Sequence, residues 1–238
     1  MARRRIEFMA HPYFQTAALT AEVADPVFAR AREALAETVE TTRWLAPTPA
    51  QRDALFRYRV PKVSPDGVCS MHDQLAPEPY DLEVAIGRRD ERLTRSLRAL
   101  GALVEAVMQQ TQTGWVGVYQ KRRLASGPAL VKLAYRGAPS RAEFPLTEAF
   151  AAKSNNSSVG LSGKARLIND VNAHVRHGGA YYECDPRVSS EICLPIFESD
   201  GSICGVVDAE STSAAHFTPE RLAWFVALAL EAPLHFPR

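Results

Sequence analysis

The sequence predicts an α+β fold: an antiparallel sheet flanked by helices, with a mainly helical N-terminal extension. Three observations carry that expectation. A long amphipathic run keeps helical spacing through Leu93, Leu97, Leu100, Val104, Val107 and Met108. Directly after it the apolar period drops to two, over Trp115–Tyr119 and Ala129–Ala134 and again over Glu191–Phe197 and Ser202–Glu210. Thr218-Pro219-Glu220 then opens a closing helix whose Leu222, Phe225, Val226 and Ala229 share one face.

The remaining elements follow in chain order. Asp25-Pro26 starts a helix, Asp capping free backbone N–H groups and Pro fitting the first turn, and Val27, Phe28, Ala31, Leu35 and Val39 form its apolar stripe. Thr48-Pro49 repeats the signal before Leu55 and Phe56. Pro61, Pro65, Gly67, Pro77 and Pro79 then break every pattern between Tyr58 and Glu83, which reads as a linker. It sets the expected boundary between an extension over 1–88 and a domain over 89–238. A basic loop around Lys121–Gly127 joins the first two strands of the sheet. Phe144-Pro145 ends a short extended piece, Thr147–Lys153 is a short helix, and Ala165–Ile168 is extended. Asn169–Ser190 reads as irregular.

Composition excludes several function classes. A hydrophobic content of 46% and a charged content of 23% are those of a globular chain with a sizeable core. A net charge of +1, mixed in sign along the chain, gives no footprint for nucleic acid or a membrane surface. No run is long and apolar enough for a membrane span, and the N-terminus lacks a secretory pattern, so the cytoplasm is the expected compartment. The four cysteines, Cys69, Cys184, Cys193 and Cys204, lack zinc-ligand spacing and are expected as reduced thiols.

The chemistry concentrates in the last hairpin. A turn at 198–201 sets Glu191 opposite Asp208, and alternation puts Glu191 and Cys193 on one face with Cys204, Val206, Asp208 and Glu210. Three gathered carboxylates repel one another. They belong either at a solvated end of the sheet, which spacing alone favours, or in a pocket for an ammonium group, with one carboxyl kept protonated by its neighbours. Trp115 and Tyr119, four apart, share a strand face and form either sheet core or the walls of an apolar pocket. Cys184 lies in the irregular stretch, as a bystander or as a nucleophile whose strength depends on its thiolate content. His174 and His177 lack further convergent ligands, so no metal site is expected.

Gly114-Trp115-Val116-Gly117-Val118-Tyr119, Gly137-Ala138-Pro139, Cys184-Asp185, Ser190-Glu191-Ile192-Cys193-Leu194-Pro195 and Gly205-Val206-Val207-Asp208-Ala209-Glu210-Ser211 resemble a GAF domain. Within that superfamily they look most like the free methionine-(R)-sulfoxide reductases, over roughly residues 92–233. The Ser-Glu…Leu-Pro hairpin and the Gly-Val-Val-Asp strand recur in sensor GAF domains of many kinds. The Trp-x-x-x-Tyr strand and a Cys seven residues before the Glu are sharper and match the reductase pattern.

The resemblance implies Cys184 as the nucleophile that attacks the sulfoxide sulfur and becomes a sulfenic acid. It implies Glu191 and Asp208 as holders of the ammonium, Glu210 beside them in place of an Asp, and Trp115 and Tyr119 as walls around the thioether. Two departures stand out: Arg141 and Ala151 fall where the family has further cysteines. Regeneration then needs an external thiol such as thioredoxin or glutathione, or Cys69 as a substitute resolving thiol, and no bound cofactor. The expected function is thiol-dependent reduction of free methionine-(R)-sulfoxide; the alternative is a non-catalytic GAF sensor of a small molecule or of redox state. Expected partners are a small-molecule ligand, thioredoxin and a second copy of the chain.

Overall fold

The computed structural model describes residues 12–21, 23–43, 46–64, 74–87, 89–183 and 185–237. Cys69 and Cys184 lie outside the described residues. The extension supplies α1 (Pro12–Thr16), α2 (Asp25–Arg43) and α3 (Pro49–Phe56). α2 begins at the Asp-Pro pair that marks it in the sequence. α3 carries a full capping box: Gln51 N donates to Thr48 Oγ1 at 3.2 Å, and Thr48 N donates to Gln51 Oε1 at 2.9 Å.

The described part of the stretch read as a linker carries regular structure that its prolines do not imply. β1 (Arg57–Tyr58) pairs antiparallel with β2 (Tyr80–Asp81), α4 (Glu83–Ile86) follows, and Leu82 between them is fully buried. Prolines flanking such a short ladder take no donor away from it, which is why they tolerate it.

α5 (Glu91–Thr111) is capped by Asp90, whose carboxylate accepts from Leu93 N at 2.7 Å. β3 (Trp115–Leu124) and β4 (Gly127–Arg136) extend well beyond their apolar cores and meet at a tight turn, where Gly127 takes φ +117°. The expected basic loop is therefore mostly strand, its charged residues alternating along a ladder. β5 (Glu143–Pro145), α6 (Glu148–Ala151), α7 (Asn155–Ser162), β6 (Arg166–Ile168) and α8 (Val171–Arg176) lead to β7 (Ser190–Phe197), β8 (Ile203–Ser211) and α9 (Pro219–Glu231).

The sheet runs β5-β4-β3-β8-β7-β6, antiparallel throughout. α2, α5 and α9 pack together, and the large core lies between these helices and one face, with Leu35, Leu100, Leu103, Val118, Val207, Phe225 and Val226 all fully buried. The opposite face holds a smaller apolar cluster of Trp115, Tyr119, Leu130, Phe144, Leu146, Val159, Cys193 and Val206, covered by α7. Among the described residues no helix is long and apolar enough to cross a membrane.

The β7–β8 register corrects the expected pairing. Glu198 N donates to Ser202 O, and Gly201 takes φ +82°, so Ser199-Asp200-Gly201 is a three-residue loop with glycine at its left-handed position. Phe197 pairs with Ile203 and Ile196 with Gly205, leaving Cys204 as the bulged residue. Glu191 is consequently opposite Glu210, and Cys193 opposite Asp208. The displacement is even, so Glu191, Cys193, Asp208 and Glu210 keep a common face. The bulge turns Cys204 over: it packs against the helix-side core instead of sharing the Val206 face.

Candidate functional site

Two rows of side chains cross the sheet on the α7 side. One runs Trp115, Glu210, Glu191, Ile168, and the next Tyr135, Gly117, Asp208, Cys193, Arg166. Register alone thus places three carboxylates beside one another, flanked by an indole. They are not at a solvated end of the sheet: Glu191 is 5% exposed and Asp208 3% exposed, with Glu210 half-buried.

α7 accounts for how two of them are tolerated. Ser154 caps its first turn, accepting from Ser157 N at 3.3 Å. The next two residues reach the sheet: Asn155 Nδ2 donates to Glu191 Oε1 at 2.7 Å, and Asn156 Nδ2 to Asp208 Oδ2 at 2.9 Å. Asn156 Oδ1 in turn accepts from the Cys193 thiol at 3.1 Å. The Tyr181 phenol is a further polar neighbour of Glu191. Among the described residues, Asp208 Oδ1 and Asn155 Oδ1 are buried with no hydrogen-bond partner.

Neutral donors do not cancel three charges in a dry site. Burial raises the Glu191 carboxyl above its ordinary range. Burial, then the Glu191 charge, pushes Asp208 well up, and burial, then Asp208 and Glu191, does the same to Glu210. The Cys193 thiol is driven well up by burial and by Asp208. Burial pushes the Cys204 thiol up to about 12. Neither thiol is a ready nucleophile.

The aromatic wall depends on a missing side chain. The Trp115 ring lies flat over Gly117, where any Cβ would collide with it. Its Nε1 donates to Ala138 O at 3.0 Å, and the indole stacks on Tyr135 at 6.3 Å between centroids. Tyr119 is fully enclosed and donates its hydroxyl to Arg141 O at 3.1 Å. A cavity of about 260 Å3 opens beside this wall, bordered by Trp115, Ser140, Asp185, Arg187 and Glu210 among others. Of the residues expected at the site, Trp115 and Glu210 line this cavity, while Tyr119, Glu191 and Asp208 are buried and do not border it.

The model of the GAF domain family matches residues 95–232, more than half of the chain. The chain belongs to the GAF domain family. Two solved structures share the GAF fold with it. One is the type II free methionine-R-sulfoxide reductase from Thermoplasma acidophilum, 22% identical over 61% of this chain and 95% of that one, with a TM-score of 0.52. The other is the free methionine-R-sulfoxide reductase from Neisseria meningitidis in complex with its substrate, 19% identical over 92% and 95% of the two chains, TM-score 0.53. No curated protein matches the chain in sequence.

Several polar residues on this side of the sheet are not marked by the sequence. Asn155 and Asn156 were unmarked because Asn is a poor helix former, although Ser154 before them is a capping signal. Lys132, a charge inside an otherwise apolar strand, was visible in the sequence and is fully buried on the pocket side. Tyr182 and Arg141 form a latch: Arg141 Nη1 donates to Tyr182 Oη at 2.9 Å, and the guanidinium lies 5.0 Å from the Phe150 ring centre. The expected surface histidines lie on and just after α8, away from that cavity, with His174 Nε2 3.3 Å from Ala180 O. Among the described residues no group of His, Cys, Asp and Glu is arranged to hold a metal ion.

Proposed function

We propose that the pocket binds a small zwitterion through its carboxylates and that Cys184 reduces free methionine-(R)-sulfoxide there. The observation that carries this reading is the Glu210–Glu191 row, half-buried at Glu210 and buried at Glu191, with Asp208 beside it. Glu210 borders the cavity, and an ammonium group beside it sets a positive charge next to three gathered carboxylates. The Trp115 indole alongside Glu210 is an apolar wall of the kind a thioether requires.

The chemistry balances without a bound cofactor. The Cys184 sulfur attacks the sulfoxide sulfur, the S–O bond breaks, and the oxygen passes to Cys184 as a sulfenic acid while methionine leaves. A carboxyl held protonated by burial is a suitable source for the proton needed at the departing oxygen. One external thiol then forms a mixed disulfide with Cys184 and releases water. A second restores the Cys184 thiol, so two thiols end as one disulfide. The external route is favoured because Arg141 is engaged with Tyr182, and Cys193 is buried under Asn156.

The same latch favours a second reading, a binding module that holds the ligand without turnover. NADPH consumption with thioredoxin, thioredoxin reductase and free methionine-(R)-sulfoxide separates the two. Turnover by the wild type and none by Cys184→Ser is the expected result. Ligand binding by both proteins with no turnover from either, whatever the thiol donor, leaves the module.

A further inference from the structure

Lys132 is a fully buried ammonium on the pocket face of β4, paired with Tyr119. Its Nζ donates to Ser140 Oγ and to Ser140 O, each at 2.7 Å. Three rings surround it, Tyr135 at 4.0 Å, Tyr58 at 5.0 Å and Trp115 at 6.0 Å from Nζ to centroid. An ammonium enclosed by aromatic faces keeps its charge at a lower desolvation cost than in an aliphatic site.

One of those rings belongs to the N-terminal extension. Tyr58 lies on β1, donates its hydroxyl to Lys132 O at 2.8 Å, and packs 5.4 Å from Tyr80. Tyr80 donates to Glu143 Oε1 at 2.6 Å, which ties the same ladder to β5. Ser140 and Trp115 are the parts of this network that reach the cavity, and Ser140 brings the polar atom. Because its Oγ already accepts from Lys132, its own proton is directed elsewhere, and among the described residues no acceptor takes it. A hydroxyl polarised by an ammonium is a charge-assisted donor. Glu210 borders the same cavity.

We infer that Ser140, backed by Lys132, is the carboxylate-binding end of the cavity, and that Tyr58 of the extension is a positioning residue that holds Lys132 there. The inference rests on the pocket reading above and adds a second, oppositely charged end to it. An amino acid carries its ammonium and carboxylate on one carbon atom, and one cavity bordered by Glu210 and Ser140 meets both. The extension then has a role: its Tyr58 ring completes the enclosure without which the Lys132 charge would be exposed to rearrangement.

The test uses the full chain and calorimetric titration with two probes, free methionine-(R)-sulfoxide and the amine formed by removing its carboxylate. Wild type is expected to prefer the amino acid by about tenfold or more. Ser140→Ala and Lys132→Met should lose most of that preference. Tyr58→Leu should reduce it, whereas Tyr58→Phe, which keeps the ring, should retain the greater part. Circular dichroism and melting establish that each variant is folded; if Tyr58→Leu does not fold, the Ser140 and Lys132 variants decide the matter. Folded Ser140→Ala and Lys132→Met proteins that discriminate as wild type does would overturn the inference and leave the pocket reading standing. So would a wild type that binds the two probes equally. A wild type that binds neither overturns both.

Discussion

Asp208 concentrates the electrostatic conflict of the pocket. Its carboxylate is enclosed, one oxygen is held by Asn156, and the other has no partner among the described residues. Burial, followed by the Glu191 charge, raises its proton affinity in the folded state. A carboxyl whose folded pKa exceeds its unfolded value binds more protons in the native state. Its stabilisation is complete below the unfolded value, near ~4, and is lost as pH rises through the folded one. The ligand-free protein should therefore melt at falling temperatures as pH rises through that window. Asp208→Asn keeps the shape and removes the charge. It should flatten the dependence and raise stability at neutral pH, since the buried charge is what the folded state disfavours. Affinity for free methionine sulfoxide should fall in the same variant. Melting curves across pH, with and without ligand, check both directions at once. A variant less stable than wild type at neutral pH would mean that the charge is already compensated.

At the scale of elements, legibility divides along periodicity. The long helices and the paired strands announced themselves through apolar spacing, and the shared face of Glu191, Cys193, Asp208 and Glu210 followed from alternation alone. The partner assignment did not, because a three-residue loop with a bulge at Cys204 displaces the register by two residues, and no apolar pattern records a bulge. α7 was illegible for another reason. Asn155-Asn156-Ser157-Ser158 has poor intrinsic helix propensity, and the helix is held by tertiary burial of Val159 and by the approach of Gly160 to Leu130 and Leu146. Its cap then carries unusual weight. Ser154→Ala should cost about 1 kcal/mol of stability. It should also weaken ligand binding, because the first residues of α7 are the ones that hold Glu191 and Asp208. Denaturant unfolding together with calorimetry tests the pair of effects; lost stability with unchanged affinity would separate the cap from the site.

The whole molecule poses the question of whether the extension is an attachment or part of the fold. Ala31 and Leu35 of α2, Phe56 at the end of α3, and Leu82 after β2 are all fully buried, in one continuous cluster with Leu97 and Leu100 of α5 and Phe225 and Val226 of α9. Elements that share a core unfold together, because exposing one apolar face leaves the other in water. Across the sheet, the aromatic series Tyr80, Tyr58, Tyr135, Trp115 runs from the extension to the pocket wall with neighbouring centroids 5.4 to 6.3 Å apart. The chain should therefore unfold in a single cooperative transition. Leu35→Ala, far from the pocket, should lower global stability by about 2–5 kcal/mol, the range for truncating a buried leucine. Because the loss is shared, it should shift the entire transition and leave it single. Scanning calorimetry of the wild type and the variant, with the ratio of calorimetric to van't Hoff enthalpy, reads this directly. Two resolved transitions, with only the earlier one moved by Leu35→Ala, would show that the extension folds on its own account and that Tyr58 meets the pocket only as a neighbour.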